Sequence, residues 1–279
     1  MLTAARVRPS PGPAQAIAAR AVACLRLEVA TYPKPGLVSP VDRGAHADMD
    51  AALLNQSADT LGPYFAALAE AGARGTGMAT LRAIGIAAEA AMLTATNGVN
   101  THRGAIFGLG LLTAAAGFRE ANGGGRPLGG LVADLWGEAI AAGPVSPHSH
   151  GSVAARRYRA GGARREAALG FPTIDTVALP ALRHARTLRP DEPEAVRVQL
   201  CFALVAVVED TNLLHRGGPA GLAFARMAAR DFLDGGGIGR PDWRLRARAV
   251  HEAFVARNLS PGGCADLLAM TLFVDGADP

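Results

Sequence analysis

Apolar residues in this chain return at every third or fourth position, in run after run, and almost never alternate one by one. The spacing appears across residues 13–31, 49–71, 76–95, 104–120 and 128–142, and again across 174–187, 192–209, 219–233, 243–258 and 261–273. A three- or four-residue repeat gathers side chains on one face of a helix, whereas a strand needs a repeat of two. No stretch keeps a repeat of two long enough to demand a strand. The chain is therefore expected to be all-α. Alanine is abundant and only 5% of residues are aromatic, which favours closely packed helices over a β-sandwich.

A chain of 279 residues, 49% hydrophobic, has enough apolar surface for one large core. The expected organisation is a flexible tail over residues 1–12 and a single helical catalytic domain over 13–275, with the site built from inter-helix loops and helix N-termini. The tail carries Arg6, Arg8 and three prolines within its first thirteen positions and lacks the apolar segment of a signal peptide. The longest apolar stretches, residues 200–208 and 104–118, fall short of the ~18 residues of a membrane span and read as core helices. No membrane partner is expected. Cys24, Cys201 and Cys264 are odd in number and far apart, with no metal-type spacing, so they read as reduced thiols of a cytoplasmic protein. The net charge of +4 is scattered, which suits small anionic substrates better than a nucleic acid.

Four connections, residues 32–50, 96–104, 210–219 and 259–266, hold more polar and charged groups than a turn needs. In the first, Lys34 lies between Pro33 and Pro35 beside Gly36, a stiff setting that suits a phosphate-contacting lysine and equally an exposed loop lysine. His46, Asp48 and Asp50 stand before a helix, where His46 and Asp50 would share a face and Asp48 would cap the first turn, or hold magnesium. Asn100, Thr101, His102 and Arg103 precede an apolar helix, which makes an anion site or an ordinary capped start. Glu209 and Asp210 sit at the end of a strongly apolar helix, against its dipole, and ask for a cation such as a metal or Arg216. Ser260 reads as an N-cap, Pro261 as the first helical residue, and Gly262 and Gly263 as a place of close approach, by ligand or by a neighbouring helix. His148, His150, Arg164 and Glu166 lie in a polar middle segment and are individually weak signals.

Taken in order, these phrases resemble the triphosphoribosyl-dephospho-CoA synthase family. The matching stretches are Pro33 to Val38, Gly44 to His46 with Asp48 to Asp50, Asn100 to Gly104, Gly162 to Arg164 with Glu166, Asn212 with His215 to Gly218, and Ser260 to Gly263 with Ala265 to Leu268. They cover residues 28–270. Arg103 stands where that family often has lysine, and Asp42 lies in a variable position.

The resemblance implies a transferase that joins ATP to 3′-dephospho-CoA, with adenine leaving and the triphosphate retained. The product would be the prosthetic-group precursor for the acyl carrier protein of malonate decarboxylase or citrate lyase, passed on to a holo-synthase. It implies substrate contacts at Lys34, Gly36, His46, Asn100, Thr101, His102, Arg103, His150, Arg164, Asn212, His215, Arg216, Gly217, Gly218, Ser260, Gly262 and Gly263. Asp48, Asp50, Glu166, Asp210 and Asp266 become the candidate catalytic carboxylates, and Asp48, Asp50 and Asp210 the candidate ligands of Mg2+ brought in with ATP. Two rival readings stand beside it: a magnesium-dependent N-glycosidic or ADP-ribosyl-type hydrolase, by analogy of architecture, and a non-catalytic CoA-binding helical module, which has no use for so many acids and cations at helix ends.

Overall fold

Stripes of apolar residues become twelve α-helices in the computed structural model, which describes residues 12–144, 150–158 and 160–277. They are α1 (Pro13–Ala30), α2 (Ala51–Ala73), α3 (Met78–Ala95), α4 (Arg103–Asn122), α5 (Leu128–Ala142) and α6 (His150–Tyr158). The second half adds α7 (Gly162–Ala168), α8 (Leu179–Leu188), α9 (Pro193–Val207), α10 (Thr211–Asp234), α11 (Trp243–Val255) and α12 (Gly262–Ala277). No strand occurs among the described residues, so the all-α expectation holds.

The centre is α4, apolar on every side because α1, α2, α5 and α12 all pack on it. Its tightest neighbour is α2, and the reason is reciprocal. A Cβ on Gly72 would sit 1.8 Å from the Ala114 carbonyl oxygen, and one on Gly117 would sit 1.9 Å from that of Ala69. Only missing side chains permit this approach of two backbones. In the second half α9 has the same place, buried between α8, α10 and α12.

Several boundaries differ from the sequence reading, each for a local reason. Helix α2 is capped by Asp50, whose carboxylate accepts from Leu53 N at 3.0 Å, so residues 46–50 are loop and His46 and Asp50 share no helix face. Helix α10 begins at Thr211, eight residues before the expected start, and is broken at Gly218, where φ is +60°. Gly217, Gly218 and Pro219 had disguised its first two turns as a loop. The polar middle segment holds α6 and α7, and the stretch read as one helix over 174–187 opens with a π-helical turn, Ile174–Ala178. Helix α3 is long and apolar enough to cross a membrane, which the sequence reading had not expected of any segment. Leu81, Ala88 and Met92 bury one face of it. Residues 1–11, most of the expected tail, lie outside the described residues, as do His148 and the side chain of His150.

Candidate active site

The four polar connections converge on one cavity of about 1820 Å³. Its floor is made by the last turn of α1 and the first turns of α4, α10 and α12, and one wall by the flank of α3 from Met78 to Glu89. Ordinary small-molecule pockets run to ~300–1,000 Å³, so this space suits two nucleotide-sized ligands.

One side is cationic. The Arg216 guanidinium donates to Ala45 O at 2.9 Å and to Asn258 Oδ1 at 2.8 Å, and its Nη2 lies 3.3 Å from His46 Nδ1. His46 Nε2 meets Ser260 Oγ at 2.9 Å. Burial, then the Arg216 charge, lowers the His46 pKa and favours the neutral ring. Asn212, His215, Gly262 and Gly263 line the same side. The two glycines are where α12 meets α10: a Cβ on Gly262 would lie 2.7 Å from Asn212 Nδ2, and one on Gly263 3.0 Å from Asp210 Oδ2.

The floor is anionic and better buried. Asp210 does not oppose the dipole of α9, which ends at Val207; it caps α10. Its Oδ1 accepts from Asn212 N (2.7 Å) and Leu213 N (3.2 Å), and its Oδ2 from Cys264 N (2.9 Å). Burial still raises its pKa against those three amides. Asp266 stands against the N-terminus of α4, where a Cβ on Gly104 would lie 1.9 Å from Oδ2 and Ala105 N–H points at the carboxylate. Part of its surface faces the cavity, yet burial and then the charges of Glu28 and Asp210 hold its pKa well above the carboxylate range.

Glu28, in the last turn of α1, completes this floor and was not singled out from the sequence. Its Oε1 pairs with Lys34, whose Nζ also donates to Glu28 O at 2.5 Å. Lys34 is 0% exposed and does not line the cavity, so it is no direct phosphate contact in this arrangement. The loop is fastened over it: His251 Nδ1 lies 2.6 Å from Lys34 O, and His251 Nε2 lies 3.1 Å from Asp42, which accounts for Asp42. Gly36 is likewise structural, with φ at +66° and a Cβ position 2.0 Å from Leu259 O.

His102 lies beside this floor, 5% exposed. Its Nδ1 is 2.8 Å from Ser57 Oγ, which accepts from Thr101 Oγ1 at 2.7 Å. Ser57 must then donate to Nδ1, leaving the hydrogen on Nε2. That nitrogen is buried with no partner among the described residues, and burial followed by the Lys34 charge lowers the ring pKa to about 4.

Around the rim, Arg103 is paired by Nε and Nη2 with Glu89 of α3, and Asn100 Oδ1 accepts from Arg103 N at 3.2 Å just ahead of α4. Arg164 donates to the carbonyls of Gly143 and Pro144, and Glu166 Oε1 accepts from Thr173 N at 2.7 Å. Gly217 and Gly218 do not line the cavity; a Cβ on Gly217 would meet Leu259 at 2.6 Å, and Gly218 makes the kink of α10.

Residues 14–279 match the family model described as ATP:dephospho-CoA triphosphoribosyl transferase. The chain belongs to that family. Among its relatives, a probable 2-(5''-triphosphoribosyl)-3'-dephosphocoenzyme-A synthase of Stutzerimonas stutzeri is 40% identical across 100% of this chain and 97% of its own. The 2-(5''-triphosphoribosyl)-3'-dephosphocoenzyme-A synthase of Klebsiella pneumoniae is 41% identical over 93% of each chain, and that of Pectobacterium atrosepticum 40% over 90% of this chain and 86% of its own. No solved structure matches the chain.

Within this triphosphoribosyl transferase, the three acids named as magnesium ligands are not gathered. Asp50 is spent on its cap and on Arg43 at 3.2 Å and does not line the cavity, and Asp210 is held by amides. No cluster of three metal-ligating side chains exists among the described residues. Asp48 does fit a magnesium ion carried by a triphosphate, since such an ion needs only one or two carboxylates. It lines the cavity, its side chain is 60% exposed, and it meets His46 Nδ1 at 3.4 Å with the Arg216 charge nearby. Besides Glu28, sequence reasoning missed Ser57 and Glu89, ordinary polar residues within helices.

Proposed function

We propose that this chain joins ATP to 3′-dephospho-CoA through the acceptor's ribose 2′-hydroxyl, with adenine leaving C1′ of the ATP ribose and the triphosphate kept on the product. One observation carries the reading: a single cavity, large enough for both nucleotides, has cationic walls and a carboxylate floor. Arg216, His46 and Asn212 are suited to bind phosphate, with Arg164 and Arg103 at the rim. Thr101, Ser57 and His102 offer an ordered line of donors. Bound magnesium would neutralise part of the triphosphate charge, and Asp48 is the residue to hold it. The carboxylates suit an electron-poor ribose carbon, because glycosyl transfer passes through an oxocarbenium-like state.

The product then serves as prosthetic-group precursor for the acyl carrier protein of malonate decarboxylase or citrate lyase, handed on to a holo-synthase. The three buried free thiols suit the cytoplasm. The test is an adenine-release assay with both substrates and with each omitted. Release only when ATP and dephospho-CoA are both present supports the transfer, with CoA a poorer acceptor because its 3′-phosphate crowds the attacking hydroxyl. Release from ATP alone indicates a hydrolase, and no release under any condition indicates a binding module.

A further inference from the structure

We propose that Glu28 and Asp266 form the acid–base pair of this reaction: Glu28 takes the proton of the attacking 2′-hydroxyl, Asp266 gives one to the departing adenine, and Lys34 is the positioning residue that holds the Glu28 carboxyl group in place. The inference deepens the reading above and depends on it.

Its basis is the asymmetry of two carboxyl groups on one floor. Glu28 has a cation of its own, since Lys34 Nζ bonds both the Oε1 and the backbone oxygen of this residue. Oε2 accepts nothing from the described residues, and Glu28 lines the cavity. A base needs a carboxyl oxygen that no protein donor already occupies, and Oε2 meets that need among the described residues. Asp266 pairs with no cationic side chain among the described residues. It stands in the same cavity with Glu28 and Asp210 as charged neighbours and burial against it, the conditions that keep a carboxyl protonated. One carboxyl group beside a lysine and one without such a partner sit in unlike environments, and that difference assigns the two roles. Asp210 and Asp50 are less suited because both oxygens of each are engaged, and Glu166 stands at the rim with Oε1 held by Thr173 N.

The step balances. As the 2′-oxygen bonds to C1′, the C1′–N9 bond breaks and its electron pair leaves with adenine. The hydroxyl proton passes to Glu28 Oε2 and the Asp266 proton to a ring nitrogen of adenine. Transfer of one proton from Glu28 to Asp266 resets the pair, and the triphosphate is untouched. The unusual lysine follows as well: it is the one lysine among 28 basic residues, in a place where nothing but a slender ammonium stem is enclosed.

The experiment measures adenine release by the full chain with ATP and dephospho-CoA. An inactive parent protein defeats the reading of function itself, before any variant is compared. With an active parent, Glu28→Gln and Asp266→Asn are each expected to lose on the order of 10²–10⁴-fold in kcat with little change in KM. Asp266→Asn should also lose the alkaline limb of the pH–rate profile, and Glu28→Ala should regain turnover with added formate. Since Glu28→Gln strands Lys34, Glu28→Gln/Lys34→Met serves as the control for folding. Turnover within threefold of the parent in a folded Glu28 variant, or an unchanged alkaline limb in Asp266→Asn, overturns the proposal.

Discussion

Removing the charge of Lys34 is expected to cost stability before it costs anything else. Its Nζ is fully enclosed, and the Glu28 side chain is 9% exposed, so Lys34→Met leaves a largely buried carboxylate without its cation. Breaking a buried pair from one side typically costs ~3–5 kcal/mol, whereas removing both charges together costs far less. Urea unfolding at pH 7, followed by circular dichroism, is expected to give about that loss for Lys34→Met. Lys34→Met/Glu28→Gln should recover at least about 2 kcal/mol relative to the sum of the single variants, the signature of direct coupling. Lys34→Arg is expected to lose ~1–3 kcal/mol through overpacking, because no space surrounds the ammonium. A loss below about 1 kcal/mol in Lys34→Met, or single effects that simply add, would refute the buried-pair reading. Arginine fills every other basic position, so the same measurement explains why this one resisted.

His102 should make the protein acid-sensitive in a definite direction. Its folded pKa is lowered to about 4 from 6.5, so below pH 6.5 the unfolded chain takes up a proton that the folded ring refuses, and stability falls with pH until about 4. The stability difference between the parent and His102→Gln should therefore shift by about 2 kcal/mol between pH 7 and 5; a pH-independent difference would sink the assignment. Asp50 and Asp48 should separate cleanly. Asp50→Ala is expected to lose ~1 kcal/mol of stability as a helix cap with kcat/KM within threefold, while Asp48→Asn should raise the magnesium requirement of adenine release; full activity in excess EDTA would contradict the second.

Much of the fold was legible because each long helix has at least one buried face, and burial writes a three- or four-residue spacing into the sequence. Helices α6 and α7 are too short to write it, and α10 was hidden by Gly217, Gly218 and Pro219, which read as a stop when the kink lies inside the element. At the site, polar loop residues stood out and most do line the cavity. Lys34 stood out for the wrong partner. Its rarity was visible, but the contact it makes is with Glu28, six residues back on a helix whose neighbours Leu27 and Val29 give an acid no reason to look buried. Ser57 was silent for the same reason: one hydroxyl on α2 acquires meaning only when Thr101 and His102 arrive from α4's entrance.

The charge layout also decides which cations are left for a triphosphate. Helix N-termini favour anions, and the starts of α4 and α10 were natural places to seat phosphate. Both are already turned on the protein's own acids, Ala105 N–H on Asp266 and the amides of Asn212 and Leu213 on Asp210. On the proposed function, phosphate recognition would therefore fall to arginine side chains, and these are not equal. Arg103 is neutralised by Glu89 in a close pair. Arg216 bonds carbonyl oxygens, an asparagine and a neutral histidine, and Arg164 bonds two carbonyls; such partners orient a guanidinium without cancelling its charge. In the proposed reaction, a triphosphate drawn to those two and repelled by Glu28 and Asp210 would be held away from the floor, which would turn the ribose end of the nucleotide toward the carboxylates that the chemistry needs.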